Sequence, residues 1–118
     1  MRNDRRSTAR TSVQLPVRIK GQGVIRWAET LSEDLSQQGF RCMMYGASWP
    51  VGTAVSIEIP LFPAEDPLTR LAQVIHMGEI PHTDRFYVGL KFSELPSMAQ
   101  RQLKRFLAQR GAGPSRAP

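Results

Sequence analysis

Apolar and polar residues alternate along several short stretches of the chain, a pattern typical of half-buried β-strands. Turn and loop residues such as glycine, proline and aspartate separate these stretches. Pro16 falls within the first of them and lacks an N–H group, which indicates a sheet edge or a bulge at that point. The predicted strands cover residues 13–20, 24–31, 40–44, 53–59, 71–77 and 86–92.

The period of the pattern changes after Leu95, where four apolar residues recur on one side of a helix. Pro96 suits the first helical turn, and Gly111 is expected to end the helix. The apolar side consists of Ala99, Leu103, Phe106 and Leu107, whereas Arg101, Lys104 and Arg105 are expected to form a solvated face. Six strands followed by one helix predict a mainly β fold, a six-stranded antiparallel barrel whose C-terminal α-helix covers one end or side.

The positive charge of the chain is concentrated near its N-terminus. The 118 residues carry a net charge of +6, and 41% of them are apolar, enough for one core. Residues 1–12 are predicted to be a flexible basic arm, residues 13–110 the barrel with its helix, and residues 111–118 a disordered tail. The first 20 residues contain one acid, Asp4, against the basic residues Arg2, Arg5, Arg6, Arg10, Arg18 and Lys20. This asymmetry favours an anionic partner, with a solvated basic tail as the alternative.

Several classes of protein are not supported by the sequence. No apolar run is long enough for a membrane span, and the Arg-rich N-terminus is not a secretory signal, so a cytoplasmic protein is expected. The single cysteine, Cys42, excludes an internal disulfide and a Cys-based zinc cluster. His76 and His82 have no evident third metal ligand, and no catalytic pattern is present. We therefore expect no metal, no cofactor and no enzymatic activity.

Two polar segments have the chemistry of a nucleotide site. Arg6 and Arg10 stand four residues apart in the arm, and Asp34, Ser36 and Gly39 lie in a polar segment predicted to be a loop or a bulged strand end. The arginine fork donates paired hydrogen bonds to phosphates and to the O6 and N7 atoms of guanine. A carboxylate accepts from the N1–H and the amino group of the same base. Local backbone bonding in a turn is the alternative role of Asp34 and Ser36.

These residues carry a resemblance to a known family. Arg6-Ser7-Thr8-Ala9-Arg10 matches the RxxxR motif of PilZ domains, and Asp34-Leu35-Ser36-Gln37-Gln38-Gly39 matches their [D/N]xSxxG motif. Val88-Gly89-Leu90-Lys91-Phe92 looks like the glycine-containing strand near the end of that domain. The resemblance extends over about residues 5–110, and both motifs occur in the order that the family has.

The resemblance implies a six-stranded barrel that acts as a non-enzymatic receptor for cyclic di-GMP, a bacterial second messenger. Arg6 and Arg10 would contact guanine edges and phosphates, Asp34 and Ser36 would take a guanine base, and Gly39 would shape the turn. Arg5, the basic residue before the first motif, implies an intercalated pair of ligand molecules. On this view the arm becomes ordered around the ligand and changes the surface offered to a downstream protein.

A different class, a small basic barrel that binds RNA or single-stranded DNA, is the alternative. That function requires exposed aromatic side chains on one face of a sheet, where bases can stack. Phe86 and Phe92 instead share a strand face with Val88 and Leu90, which indicates core positions. Trp27 and Trp49 are likewise predicted to be packing residues.

Overall fold

The computed structural model describes residues 11–21, 26–46 and 49–112, and their backbone forms seven strands and one helix. Arg5, Arg6 and Arg10 of the predicted arm, and the predicted tail from residue 113 onward, lie outside the described residues. The elements are β1 (Thr11–Ser12), β2 (Pro16–Gly21), β3 (Ala28–Leu35), β4 (Gly39–Tyr45), β5 (Ala54–Ile59), β6 (Leu68–Glu79), β7 (Arg85–Phe92) and α1 (Ser97–Ala112).

The six longer strands close into a barrel. Their order is β3-β2-β5-β6-β7-β4, every neighbouring pair is antiparallel, and β4 pairs again with β3. Closure gives each of these six strands a paired neighbour on both sides, which protects strand edges that would otherwise be prone to aggregation. The predicted mainly β fold, a six-stranded antiparallel barrel with a C-terminal helix, is confirmed.

The core is built by the alternating apolar residues that the sequence pattern indicated. Inward-facing side chains of neighbouring strands meet in the barrel interior, where each excludes water from the others. Cys42 belongs to this core and is fully buried. The most completely buried members are Val17, Ile19, Leu35, Phe40, Val55, Ile57, Ile59, Val74, Val88, Leu90 and Leu103.

The first predicted strand, residues 13–20, is a strand only from Pro16 onward, and a short strand precedes the gap at residues 13–15. β1 ends at Ser12 and β2 begins at Pro16, and both lie along the same side of β3. The buried hydroxyl of Ser32 fills the break, since it donates to the carbonyl of Val13 at 2.6 Å and accepts the N–H of Leu15 at 3.0 Å. The side chain thus adds to the two backbone hydrogen bonds across the gap, from the Val13 N–H to the Glu33 carbonyl and from the Ser32 N–H to the Leu15 carbonyl.

β3 is longer at its C-terminal end than the hydrophobic pattern indicated. It begins at Ala28 and continues through the polar segment to Leu35. Of the two predictions for that segment, the loop is wrong for residues 32–35 and the bulged strand end is right. The register with β4 shifts between Ser32 and Asp34, so that Glu33 is the extra residue. The alternation failed as a guide because Ser32 and Asp34 are buried although they are polar.

Helix α1 packs on the barrel with the predicted apolar side. Leu103 and Phe106 are 1% and 3% exposed, and Leu107 is partly buried against the core. The Phe106 ring meets that of Phe62 edge to face, with 5.6 Å between ring centroids. The helix continues to Ala112, past the glycine expected to end it. No helix in the described part of the chain is long and apolar enough to cross a membrane.

Arg105 is exposed, as predicted for the basic face of α1, and it also forms an ion pair that the sequence did not predict. Its guanidinium donates to both carboxylate oxygens of Glu65, at 2.7 and 2.6 Å, and lies over the ring of Phe62. Gln102, one turn earlier, donates to the same carboxylate and to the carbonyl of Asp66. The basic side of the helix is therefore tied to the loop between β5 and β6, which sequence periodicity could not reveal.

Replacing Phe106 with alanine is expected to destabilise the fold, because the change leaves a cavity between the helix and the barrel. The expected loss in the free energy of unfolding is about 3 kcal/mol, typical of a buried phenylalanine. Thermal or urea unfolding measures it, with Met98→Ala as the control, since Met98 is 81% exposed on the same helix. Equal melting temperatures for the two variants would contradict the packing of α1.

Burial raises the pKa of the Cys42 thiol to about 12, with a smaller contribution from the charge of Glu33. We expect the thiol to resist alkylation at pH 8 in the native protein and to react once the protein is unfolded. Because the unfolded thiol titrates near 9.0 and the folded one near 12, stability should fall as the pH rises above about 9. Equal labelling rates for native and unfolded protein would contradict this assignment.

Candidate functional site

The Asp34–Gly39 motif forms the end of the β3–β4 hairpin. Ser36 donates its N–H to the carbonyl of Gly39 at 2.9 Å, which closes a loop with Gln37 and Gln38 at its tip. The Ser36 hydroxyl accepts the N–H groups of Gln38 and Gly39 at 3.1 and 3.3 Å, and the residue is 3% exposed. Ser36 therefore holds the turn in shape, which is the local role that its position in a turn also predicted; its contact with a ligand stays a prediction.

Gly39 is required by the close approach of two strands. A Cβ atom at this position would overlap the backbone carbonyl of Leu90 on β7. Its backbone does not need the left-handed region, because Gly46 and Gly52 are the glycines with positive φ in the described part of the chain. The Phe92 N–H also donates to the carbonyl of Gln38 at 2.8 Å, so the turn is bonded directly to β7.

Asp34 lies on the outer face of the barrel beside the turn. It pairs in register with Arg41 on β4, and residues directly opposite each other in an antiparallel pair project from the same face. Arg41 is exposed, whereas Asp34 is 8% exposed. The Nη2 atom of Arg41 is 3.6 Å from Oδ2 of Asp34, so a cation accompanies this poorly hydrated carboxylate. The bulge at Glu33 gives Asp34 this orientation, because without it the alternation from buried Ser32 would point Asp34 inward.

β1, which directly follows the predicted N-terminal arm, lies beside Asp34 and the turn. Thr11 pairs with Leu35 and Ser12 with Asp34, on the side of β3 away from β4. Arg10 precedes Thr11 by one peptide bond. The structure thus brings together Asp34, Ser36 and Gly39, and it places the chain that leads to the predicted arginines beside them; the side chains of Arg5, Arg6 and Arg10 themselves lie outside the described residues.

Two basic residues near the turn were not among the predicted site residues. Arg41 faces Asp34, and the exposed Lys91 is the register partner of Gly39 across β4 and β7. The sequence did contain a signal for Arg41. In a hairpin with two residues at its tip, the positions pair outward from the turn, Leu35 with Phe40 and Asp34 with residue 41. Lys91 could not be found in this way, because it belongs to a strand distant in sequence.

Concavities on the described surface include two that adjoin α1. A cavity of about 280 Å³ adjoins the turn and reaches the start of α1, with Gln37, Gln38 and Lys91 in its lining. A larger cleft of about 780 Å³ lies between α1 and the β5–β6 loop, with no residue of the turn motif in its lining. Arg105 and Glu65 form an ion pair in this cleft. The described residues contain no group of three or more side chains suited to holding a metal ion.

Solved structures with the same fold include proteins from three bacteria. The Bacillus subtilis inhibitor of motility, MotI, aligns over 97% of this chain and 54% of its own, at 24% identity and a TM-score of 0.80. The Escherichia coli YcgR PilZ domain with c-di-GMP aligns over 98% of this chain and 100% of its own, at 16% identity and a TM-score of 0.74. The K. pneumonia MrkH–c-di-GMP complex aligns over 98% of this chain and 57% of its own, at 15% identity and a TM-score of 0.76.

The chain spans about half the length of MotI and MrkH, and it corresponds to the whole of the YcgR PilZ domain. No curated protein matches the sequence. The family comparison is independent of these structural likenesses and rests on the sequence itself. A model of the PilZ domain matches residues 4–109, a range that includes both the arginine motif and the turn motif. With its barrel, its hairpin turn and both motifs in this order, the chain belongs to the PilZ domain family.

Proposed function

We propose that this chain is a non-enzymatic receptor for cyclic di-GMP, bound between the N-terminal arm and the β3–β4 turn. The observation that carries the proposal is the pairing of β1 with β3, which places Thr11 opposite Leu35 and Ser12 opposite Asp34. The arm therefore starts beside the turn motif and not at another side of the barrel. In this proposal Arg6 and Arg10 bind from the arm, and Asp34, Ser36 and Gly39 form the barrel side of the site.

The reach of the chain is compatible with this arrangement. An extended chain spans at most about 3.6 Å per residue, so the Cα of Arg6 lies within about 18 Å of the Cα of Thr11. An arginine side chain adds several ångströms to that reach. Both arginines can therefore contact one dinucleotide that rests against Asp34, and they can do so from different sides because four residues separate them.

The charges of the two sides complement the proposed ligand. Cyclic di-GMP carries two phosphodiester charges, which suit the basic arm, and its guanines present acceptors that match arginine. Asp34 offers the acceptor that the N1–H and amino groups of guanine need. Structures of the YcgR PilZ domain and of MrkH with c-di-GMP provide support from the same fold. Capture of the ligand would order the arm on the barrel, and this new surface would relay the signal to a downstream protein.

The alternative function, binding of RNA or single-stranded DNA, has less support. It needs a row of exposed aromatic rings. Phe92 is 7% exposed and Phe40 is 1% exposed, and their rings are in contact with each other in the core. Phe86 is partly buried. These rings therefore provide little exposed aromatic surface on which a base could stack.

Replacing Arg10 with alanine is expected to weaken binding of cyclic di-GMP by about 2 kcal/mol or more, because a charged bidentate contact is lost. Isothermal titration calorimetry measures the change. Arg101→Ala is the control, since Arg101 is exposed on α1 and forms no ion pair with another described residue. Wild-type affinity in the Arg10 variant would contradict the assigned role, and absence of binding by the wild type would contradict the proposed function.

We expect the ligand to bind as an intercalated pair, with Arg5 in contact with the second molecule. Titration should give two ligand molecules per chain for the wild type and one for Arg5→Leu, because the apolar side chain offers no donors to the second molecule. Arg2→Leu is the matched control, since it removes the same charge outside the RxxxR motif. One ligand per wild-type chain would overturn this stoichiometry without affecting the proposal of a receptor.

A further inference from the structure

Arg41 occupies a position beside Asp34 that the motif alone does not assign. It is the direct register partner of Asp34 across β3 and β4, and both residues project from the outer face. Its Nη2 atom is 3.6 Å from Oδ2 of Asp34, and its Nε atom is 3.9 Å from Oε1 of Glu33. The two acids thus hold the guanidinium over the outer face of the turn.

The guanidinium retains the capacity to bind something else. Both distances exceed the 2.7–2.9 Å typical of a charge-assisted hydrogen bond. Arg41 donates no side-chain hydrogen bond to another described residue, and its side chain is 47% exposed. Arg105, by contrast, is within 2.6–2.7 Å of both oxygens of Glu65, where its donors are used. Arg41 is therefore close enough to be fixed by Asp34 and still available to a ligand.

Together, Asp34 and Arg41 match the hydrogen-bonding edge of guanine. That edge presents, in order, the amino group, N1–H and O6, which are two donors followed by an acceptor. The carboxylate of Asp34 accepts from the two donors, and a cation next to it can donate to O6. Adenine presents the opposite pattern at the same positions, an acceptor at N1 and a donor at N6. This pattern is the reverse of the one that the two side chains can bind, which strongly disfavours adenine.

We propose that Arg41 is a specificity-determining residue, which donates to O6 of the guanine base that Asp34 holds. The inference rests on the proposed function, since it assumes that Asp34 binds guanine. It adds a contact from the barrel to those expected from the arm, and it assigns selection of guanine over adenine to a pair of residues on adjacent strands.

A comparison of two ligands separates this role from a merely structural one. Cyclic di-IMP keeps O6 and N1–H but lacks the amino group that Asp34 would accept. If Arg41 contacts O6, Arg41→Ala should weaken cyclic di-GMP and cyclic di-IMP alike, by about tenfold, and leave their affinity ratio unchanged. If Arg41 only positions Asp34, Arg41→Ala should lose more affinity for cyclic di-GMP than for cyclic di-IMP. The ratio of the two affinities should then become smaller.

The titrations use the full chain with Arg41→Ala, Arg41→Lys and the control Arg18→Ala. Arg18 on β2 is a matched control, because its side chain is 42% exposed and it too is paired with two acids, Glu58 and Glu29. It lies opposite Glu29, at the end of β3 away from the turn. Arg41→Lys should recover part of the lost affinity, because one donor remains, and Arg18→Ala should bind like the wild type. Melting curves check that each variant is folded.

Unchanged affinity in Arg41→Ala would overturn this inference, and so would a smaller ratio of the affinities for cyclic di-GMP and cyclic di-IMP. Neither result would affect the proposed receptor function. Loss of binding in Arg18→Ala equal to that in Arg41→Ala would also overturn it, because the effect would then follow charge and not position. Failure of the wild type to bind either ligand would overturn the proposed function and, with it, the role of Arg41.

Discussion

The close backbone contact between Gly39 and Leu90 is the constraint on which the site depends. With no side chain at position 39, β4 approaches β7 closely enough for the Gln38 carbonyl to accept the N–H of Phe92 at 2.8 Å. The turn is thus fixed to a strand more than 50 residues further along the chain. The hairpin register is counted outward from the turn that Ser36 and Gly39 close, so Leu35 faces Phe40 and Asp34 faces Arg41. A displacement of one residue would exchange the inner and outer faces of the whole hairpin.

Two irregularities, the bulge in β3 and the gap between β1 and β2, determine what lies on the outer face beside the turn. The bulge at Glu33 allows Ser32 and Asp34, two residues apart, to project from opposite faces. Ser32 is directed inward and bonds to Val13 and Leu15 in the gap between β1 and β2. β1 can therefore continue along β3 as far as Leu35 even though β2 does not reach it. A regular strand would have given neither the outward carboxylate nor an N-terminal segment next to it.

Much of the barrel could be predicted because its strands alternate and its helix has a 3.6-residue period. The β5 and β7 predictions agree with the structure to within one residue at each end, since one side of each strand faces the core and the other faces water. The pattern failed at residues 32–35, where buried serine and aspartate interrupt the apolar period. It also carried no information on the ion pair of Arg105 with Glu65, which lies in a loop 40 residues away. The motif residues Asp34, Ser36 and Gly39 could be placed in one turn from sequence. The position of Arg41 could be counted outward from that turn, whereas the position of Lys91 depends on the pairing of strands distant in sequence and could not be predicted.

The arrangement also bears on the energy that the proposed receptor has available for binding. Ordering a segment around a ligand costs conformational entropy for every residue that is fixed. Thr11 and Ser12 are already paired with β3, and the Ser36 hydroxyl already holds the turn, so these parts lose little further freedom. In the proposed receptor, the entropic cost would therefore fall on the few residues between Arg6 and Thr11, which would supply the cations. In the proposed receptor, a carboxylate already in place on the barrel and arginines on a short segment would keep most of the interaction energy as affinity and would make the position of the arm depend on the ligand.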